Sequence, residues 1–137
     1  MTKITEQLYI GDRNDAQNGA ALHREGITVT LNVAQDCQTW HHEGILSLKI
    51  GLYDRDDPNN EAALPLIVDT VEHLFQAKHK IFVHCIRGRN RSAFVCAFCL
   101  NGMNMWPNSF FDVIQKKRPE VFTRPWMADL ALKVYGV

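Results

Sequence analysis

One twelve-residue stretch restricts the fold of this chain more than any other: Ile81-Phe82-Val83-His84-Cys85-Ile86-Arg87-Gly88-Arg89-Asn90-Arg91-Ser92. Ile81 to His84 is short, apolar and partly β-branched, which reads as a buried strand. From Ser92 the pattern turns helical, with Phe94, Val95, Phe98 and Cys99 on one side. Between strand and helix lies a short loop holding one glycine, three arginines and a cysteine. A loop feeding a helix N-terminus turns backbone N–H groups inward at the positive end of the helix dipole. That geometry holds an oxyanion, most often phosphate.

The side chains indicate what happens to the anion. A thiol at Cys85, at the mouth of the N–H cradle, is pushed toward thiolate by the amides, the dipole and Arg91. A thiolate is a strong nucleophile. Arg91 forks onto two phosphate oxygens, a geometry lysine does not match. Gly88 lets the backbone turn tightly, and Ser92 can donate a hydrogen bond to the sulfur. His84 is expected to orient the loop rather than act as a base. Ile86, Arg87, Gly88, Arg89 and Asn90 complete the expected anion cradle with His84 and Arg91.

The rest of the chain alternates strands and helices. An opening strand and turn are expected over residues 3–12, a helix over 14–25, and a strand over 27–34. A further strand is expected over 45–52, with Leu46, Leu48, Ile50 and Leu52 on one face. A helix over 62–78 follows, with Pro65 in its first turn. Pro107 opens another helix, with Phe110, Val113 and Ile114 inward, ending in Lys116-Lys117-Arg118, read as a solvated end that complements the dipole. Pro125 opens the last helix. The fold class is therefore α/β, a mostly parallel central sheet flanked by helices, in a single domain over 1–137. The Cys85 loop then lies at the C-terminal end of a central strand, where open α/β sheets place their ligands.

Composition narrows the partners. Lys plus Arg and Asp plus Glu are both 15, so a general polyanion binder is not indicated. The positive charge is local, at Arg87, Arg89 and Arg91. No apolar run is long enough to span a membrane and the first residues lack a signal core, so a cytoplasmic protein is expected. Cys37, Cys85, Cys96 and Cys99 are read as free thiols in a reducing compartment. Cys96 and Cys99 are read as core cysteines, and His41 and His42 as surface histidines, because adjacent strand residues point to opposite faces. No metal site is expected.

His84-Cys85-x-x-Gly88-x-x-Arg91-Ser92 resembles the signature of cysteine-dependent phosphatases, and the chain is similar to the small dual-specificity phosphatases along most of its length. Leu8-Tyr9-Ile10-Gly11 with Asp15-Ala16, the run Gly26 to Val33, and the segment Gly102-Met103 through Arg118-Pro119 resemble flanking parts of that family. Breaking a phosphate ester also requires an acid for the leaving oxygen. The acidic loop offers Asp54, Asp56 and Asp57, and pattern alone does not choose among them. The resemblance points to Asp54, which ends Ile50-Gly51-Leu52-Tyr53-Asp54 thirty-one residues before Cys85. It implies hydrolysis through a phosphocysteine intermediate. Cys85 is then the nucleophile, Arg91 the phosphate clamp, Asp54 the acid and Ser92 the helper of the departing sulfur. No cofactor is implied. The implied partners are phosphotyrosine and phosphoserine/threonine proteins, met by a monomer. Arg87 and Arg89, flanking Gly88 where many protein phosphatases carry small or neutral residues, keep a phosphorylated lipid or an RNA 5′-phosphate as alternatives. A catalytically inactive phospho-binding module is the rival of another class.

Overall fold

The computed structural model describes residues 1–101 and 108–136. Five strands form one sheet in the order β1-β2-β5-β3-β4. They are β1 (Thr2–Thr5), β2 (Leu8–Gly11), β3 (Val29–Ala34), β4 (Leu46–Leu52) and β5 (Ile81–His84). Only the β1–β2 pair is antiparallel. The opening segment is thus a hairpin rather than one strand, with Glu6-Gln7 at its turn. The other pairings are parallel, and β5 lies in the middle, with Gly11 and Asn32 opposite His84 on its two sides.

The two-residue period of the strands sorts the core into two layers. Leu8, Ile10, Leu31, Val33, Ile81 and Val83 face a large apolar layer. That layer is completed by α3 (Asn59–Gln76), α4 (Arg91–Asn101), α5 (Asn108–Lys117) and α6 (Pro125–Tyr135). Tyr9 and Phe82 face the other side and pack with Ala16, Leu22, Ile27 and Ile45. Those partners come partly from α1 (Arg13–Gln17) and α2 (Gly19–Arg24). The helix expected over 14–25 is therefore two short pieces. Asn18 ends the first and caps the second, its side chain accepting the Ala21 N–H.

Other features depart from expectation. The third helix starts at Asn59, because Asp57 accepts the Asn59 N–H through its side chain and the Asn60 N–H through its carbonyl. Pro65 therefore sits one turn inside the helix, not in its first turn. β4 is an edge strand, so only its C-terminal end is fully covered: Leu52 is buried while Leu46 is exposed. Arg118 is no solvated helix end; it is 8% exposed. Phe110 as a side chain and residues 102–107, Pro107 among them, lie outside the described positions.

Candidate active site

β5 ends at His84, and the next residue begins the loop. The strand period sends His84 to the α1–α2 side, where its ring stacks on Phe82 at 5.7 Å. It is buried, and burial lowers its pKa, so the ring is neutral near pH 7. A carbonyl only accepts, so Nδ1 carries the hydrogen and donates to the Cys85 carbonyl at 3.3 Å. His84 thus braces the loop from behind and does not line the cavity.

Cys85 lies on the opposite side, 3% exposed, at the floor of a cavity of about 350 Å³. The loop is turned around it by outside contacts. The Arg13 N–H donates to the Ile86 carbonyl at 3.0 Å. The Arg118 Nε donates to the Gly88 carbonyl at 2.8 Å. The Phe122 N–H donates to the Arg89 carbonyl at 3.0 Å. A trans peptide points its N–H opposite to its C=O. Holding these three carbonyls outward therefore turns the Arg87, Arg89 and Asn90 amides toward the cavity. The Gly88 N–H donates to the Cys85 Sγ at 3.2 Å, and the Ser92 hydroxyl lies 3.2 Å from the same sulfur.

Gly88 has φ +65°, and a Cβ there would lie 2.7 Å from the Gly11 backbone and from Arg118 Nη2. Glycine is needed on both counts. Arg118 spans from the loop to β1, with its Nη1 donating to Thr2 Oγ1 at 2.9 Å and its Nε 3.4 Å from Glu120. This buried arginine, expected from sequence at a solvated helix end, is a strut under the Cys85 loop.

Arg91, the first residue of α4, is 4% exposed. Its Nη1 donates to Asp36 Oδ1 and to the Leu52 carbonyl. Burial pushes the Asp36 carboxyl up, but the hydrogen bond and charge of Arg91 outweigh it, and the net direction is down. Neither Nε nor Nη2 of Arg91 has a partner among the described residues, which leaves one guanidinium edge for an anion.

The other wall comes from the acidic loop and the segment before α6. Asp54 lines the cavity; Asp56 and Asp57 do not. Asp54 Oδ1 accepts from Trp126 Nε1 at 3.0 Å and lies 3.2 Å from Arg124 Nε in an ion pair. Asp57 caps α3 and pairs with Arg55, while Asp56 lies 3.5 Å from Lys133. The loop is pinned by Asn60, which is 1% exposed. Its Nδ2 donates to the Tyr53 and Arg55 carbonyls, each at 3.1 Å, and its Oδ1 accepts the Tyr53 N–H at 2.9 Å.

Arg87 and Arg89 are exposed, line the cavity and have no side-chain partner among the described residues. Asn90 Nδ2 donates to the Phe122 carbonyl at 2.8 Å. Asp36, Phe122 and Arg124 also line the cavity and were not expected from sequence. Their one sequence signal is position: Asp36 follows the C-terminal end of a parallel strand, where ligands gather. Of the remaining cysteines, burial raises the Cys37 and Cys96 thiols and pushes the half-buried Cys99 up to about 12. All four cysteines are free. His41 is exposed, and His42 donates through Nε2 to the Ala16 carbonyl at 2.8 Å.

A thiol under inward-turned amides with an arginine beside it, at the end of the central strand of a mostly parallel sheet, is an arrangement suited to holding a phosphate. Residues 8–133 match the family model described as the dual specificity phosphatase catalytic domain, and the chain belongs to that family. Human dual specificity protein phosphatase 8 is 26% identical over 125 residues, covering 88% of this chain and 20% of that protein. The chain thus spans about a fifth of that relative's length. The crystal structure of human DUSP28 superposes with a TM-score of 0.87 at 21% identity, covering 99% of this chain and 96% of that one. OH1 of the Orf virus, described as a tyrosine phosphatase with triple substrate specificity, superposes with a TM-score of 0.76 at 20% identity, covering 98% and 86%. These two are likenesses of fold.

Proposed function

We propose that this chain hydrolyses phosphate monoesters through a phosphocysteine intermediate, with phosphotyrosine and phosphoserine/threonine proteins as substrates. The observation that carries the reading is the Cys85 sulfur at the cavity floor, contacted by the Gly88 N–H and the Ser92 hydroxyl beside the free edge of Arg91. In the first step the Cys85 thiolate attacks phosphorus in line and the bond to the leaving oxygen breaks. Asp54 gives its proton to that oxygen. The inward amides and Arg91 take the charge on the equatorial oxygens, the largest electrostatic contribution such a site offers. In the second step water attacks phosphorus and Asp54 takes its proton. The S–P bond breaks, its electron pair returns to sulfur, and the Ser92 hydroxyl donates to the departing thiolate. Ile86 and Phe122 give the cavity wall an apolar portion for a substrate ring.

The reading includes a single catalytic domain working as a monomer in a reducing, cytoplasmic setting, where the Cys85 thiol stays reduced. No helix among the described residues is long and apolar enough to cross a membrane.

A second reading keeps the chemistry and changes the substrate. Arg87 and Arg89 are cations on the cavity rim without carboxylate partners among the described residues, which favours a substrate carrying a further anionic group beside the scissile phosphate. The Orf virus protein, a fold relative, is described as displaying triple substrate specificity. The test is phosphate release from phosphotyrosine and phosphothreonine peptides, phosphoinositides and 5′-triphosphorylated RNA, with Cys85→Ser as the blank. Release from both peptides supports the protein reading. Release confined to lipid or RNA replaces it with the second.

A further inference from the structure

Asp54 has two oxygens, and the structure treats them differently. Oδ1 receives the Trp126 indole N–H and lies 3.2 Å from the Arg124 Nε in an ion pair. Oδ2 has no partner among the described residues. We infer that Trp126 and Arg124, at the start of α6, are positioning residues that fix Oδ2 as the oxygen exchanging the proton with substrate and water. This rests on the reading of Asp54 as the acid.

The chemistry follows from donor and acceptor roles. A neutral carboxyl carries its hydrogen on one oxygen, and the other, the carbonyl oxygen, is the better acceptor. The Trp126 N–H on Oδ1, with the Arg124 charge beside the same oxygen, makes Oδ1 that acceptor, so the hydrogen resides on Oδ2. In the first step the Oδ2–H bond breaks, the proton passes to the leaving oxygen, and its electron pair stays on the carboxylate. In the second step Oδ2 takes a proton from water. Indole N–H only donates, so Trp126 orients the carboxyl in either protonation state and exchanges no proton itself.

Both side chains are themselves held. The Trp126 ring packs edge-on against Phe94 at 5.6 Å, inside the large apolar layer. Pro125 opens α6 and Arg124 precedes it in extended conformation, which fixes the direction in which Trp126 leaves the backbone. The Arg124 guanidinium lies over the Phe122 ring at 5.2 Å. The Phe122 backbone is in turn bonded to Arg89 and Asn90 of the phosphate loop. The acid is therefore registered against the loop that holds the phosphate, through a chain of contacts starting at Oδ1.

The test uses leaving-group dependence, because an acid matters most for a poor leaving group. Trp126→Phe keeps a ring against Phe94 and removes the N–H. Turnover is measured on phenyl phosphate, a poor leaving group, and p-nitrophenyl phosphate, a good one. The ratio of kcat on the nitrophenyl ester to kcat on the phenyl ester rises about ten-fold in Trp126→Phe, a fraction of a full acid contribution. In an Asp54→Asn background the same substitution leaves the ratio where Asp54→Asn put it. Arg124→Gln, at a partly exposed side chain, raises the ratio in the same direction and carries the test should Trp126→Phe not fold. Equal slowing of both esters, or an equal ratio change with and without Asp54, overturns the inference and leaves the acid reading standing. An Asp54→Asn variant with an unaltered ratio removes the acid reading itself, and the inference with it.

Discussion

The cavity has two walls built by different means. The floor, Cys85 to Ser92, is contiguous chain shaped by backbone: carbonyls tied outward, amides turned inward, a positive φ at Gly88. The opposite wall is assembled from side chains that are distant in sequence. Asp54 is held by Trp126, seventy-two positions away. Backbone geometry is set by a few neighbouring residues and by what packs beneath them. Side-chain geometry depends on several remote elements arriving in register. The floor is therefore the part a local motif can encode. The far wall is where variation in loops and helix starts can retune the same chemistry.

Damage to the two walls should look different. The largest effect is expected on the floor. Gly88→Ala places a Cβ against the Gly11 backbone at a positive φ, so strain and displacement together destabilise the fold by about 3 kcal/mol in denaturant melts. Turnover falls on good and poor leaving groups alike, because the amide cradle is lost. A variant as stable and active as the parent would mean that the loop is not held as described. On the far wall, Asn60→Ala leaves the Tyr53 N–H and two carbonyls unpaired, for a loss of about 2 kcal/mol. Its kinetic effect should be selective, greater on phenyl than on p-nitrophenyl phosphate. An unselective loss would show that Asn60 supports the whole site, not the acid loop.

The smallest effect is a pH dependence behind the floor. Burial lowers the folded-state pKa of His84, so its neutral form is the stable one. The stability this provides is present above the unfolded histidine value of about 6.5 and is lost as pH falls through that value toward the folded one. One such group changes stability by at most about 1.4 kcal/mol per pH unit. Melts between about pH 7.5 and 5.5 should show a decline that His84→Gln flattens. An equal slope in both proteins would place the titration elsewhere. The depressed carboxyls of Asp36 and Asp57 act in a lower window, below the ordinary carboxylate range.

This contrast also explains what could be read from the sequence. The parallel α/β sheet follows from alternating short strands and periodic helices, and the floor from one glycine, one cysteine and one arginine at fixed spacing. Asp54, Asp56 and Asp57 could not be separated by pattern, since all three share one polar loop. Only the tertiary arrangement separates them: Asp57 turns back to cap α3, Asp56 faces Lys133, and Asp54 faces the cavity. The role of Arg118 is hidden from the sequence for a related reason. It follows two lysines at a helix end, the usual composition of a solvated terminus, and nothing local reveals that Gly88 and Thr2 lie beside it. Asp36, Arg124 and Trp126 carry no local signal of their pairings, because their partners are brought by β4, α4 and the acidic loop.

The most direct test of the account is rapid-quench mass spectrometry during turnover of p-nitrophenyl phosphate. The account predicts transient addition of one phosphoryl group, mapped to the peptide bearing Cys85 and absent in Cys85→Ser, which also loses turnover. A phosphoryl group on another residue, or sustained turnover in Cys85→Ser, would contradict it.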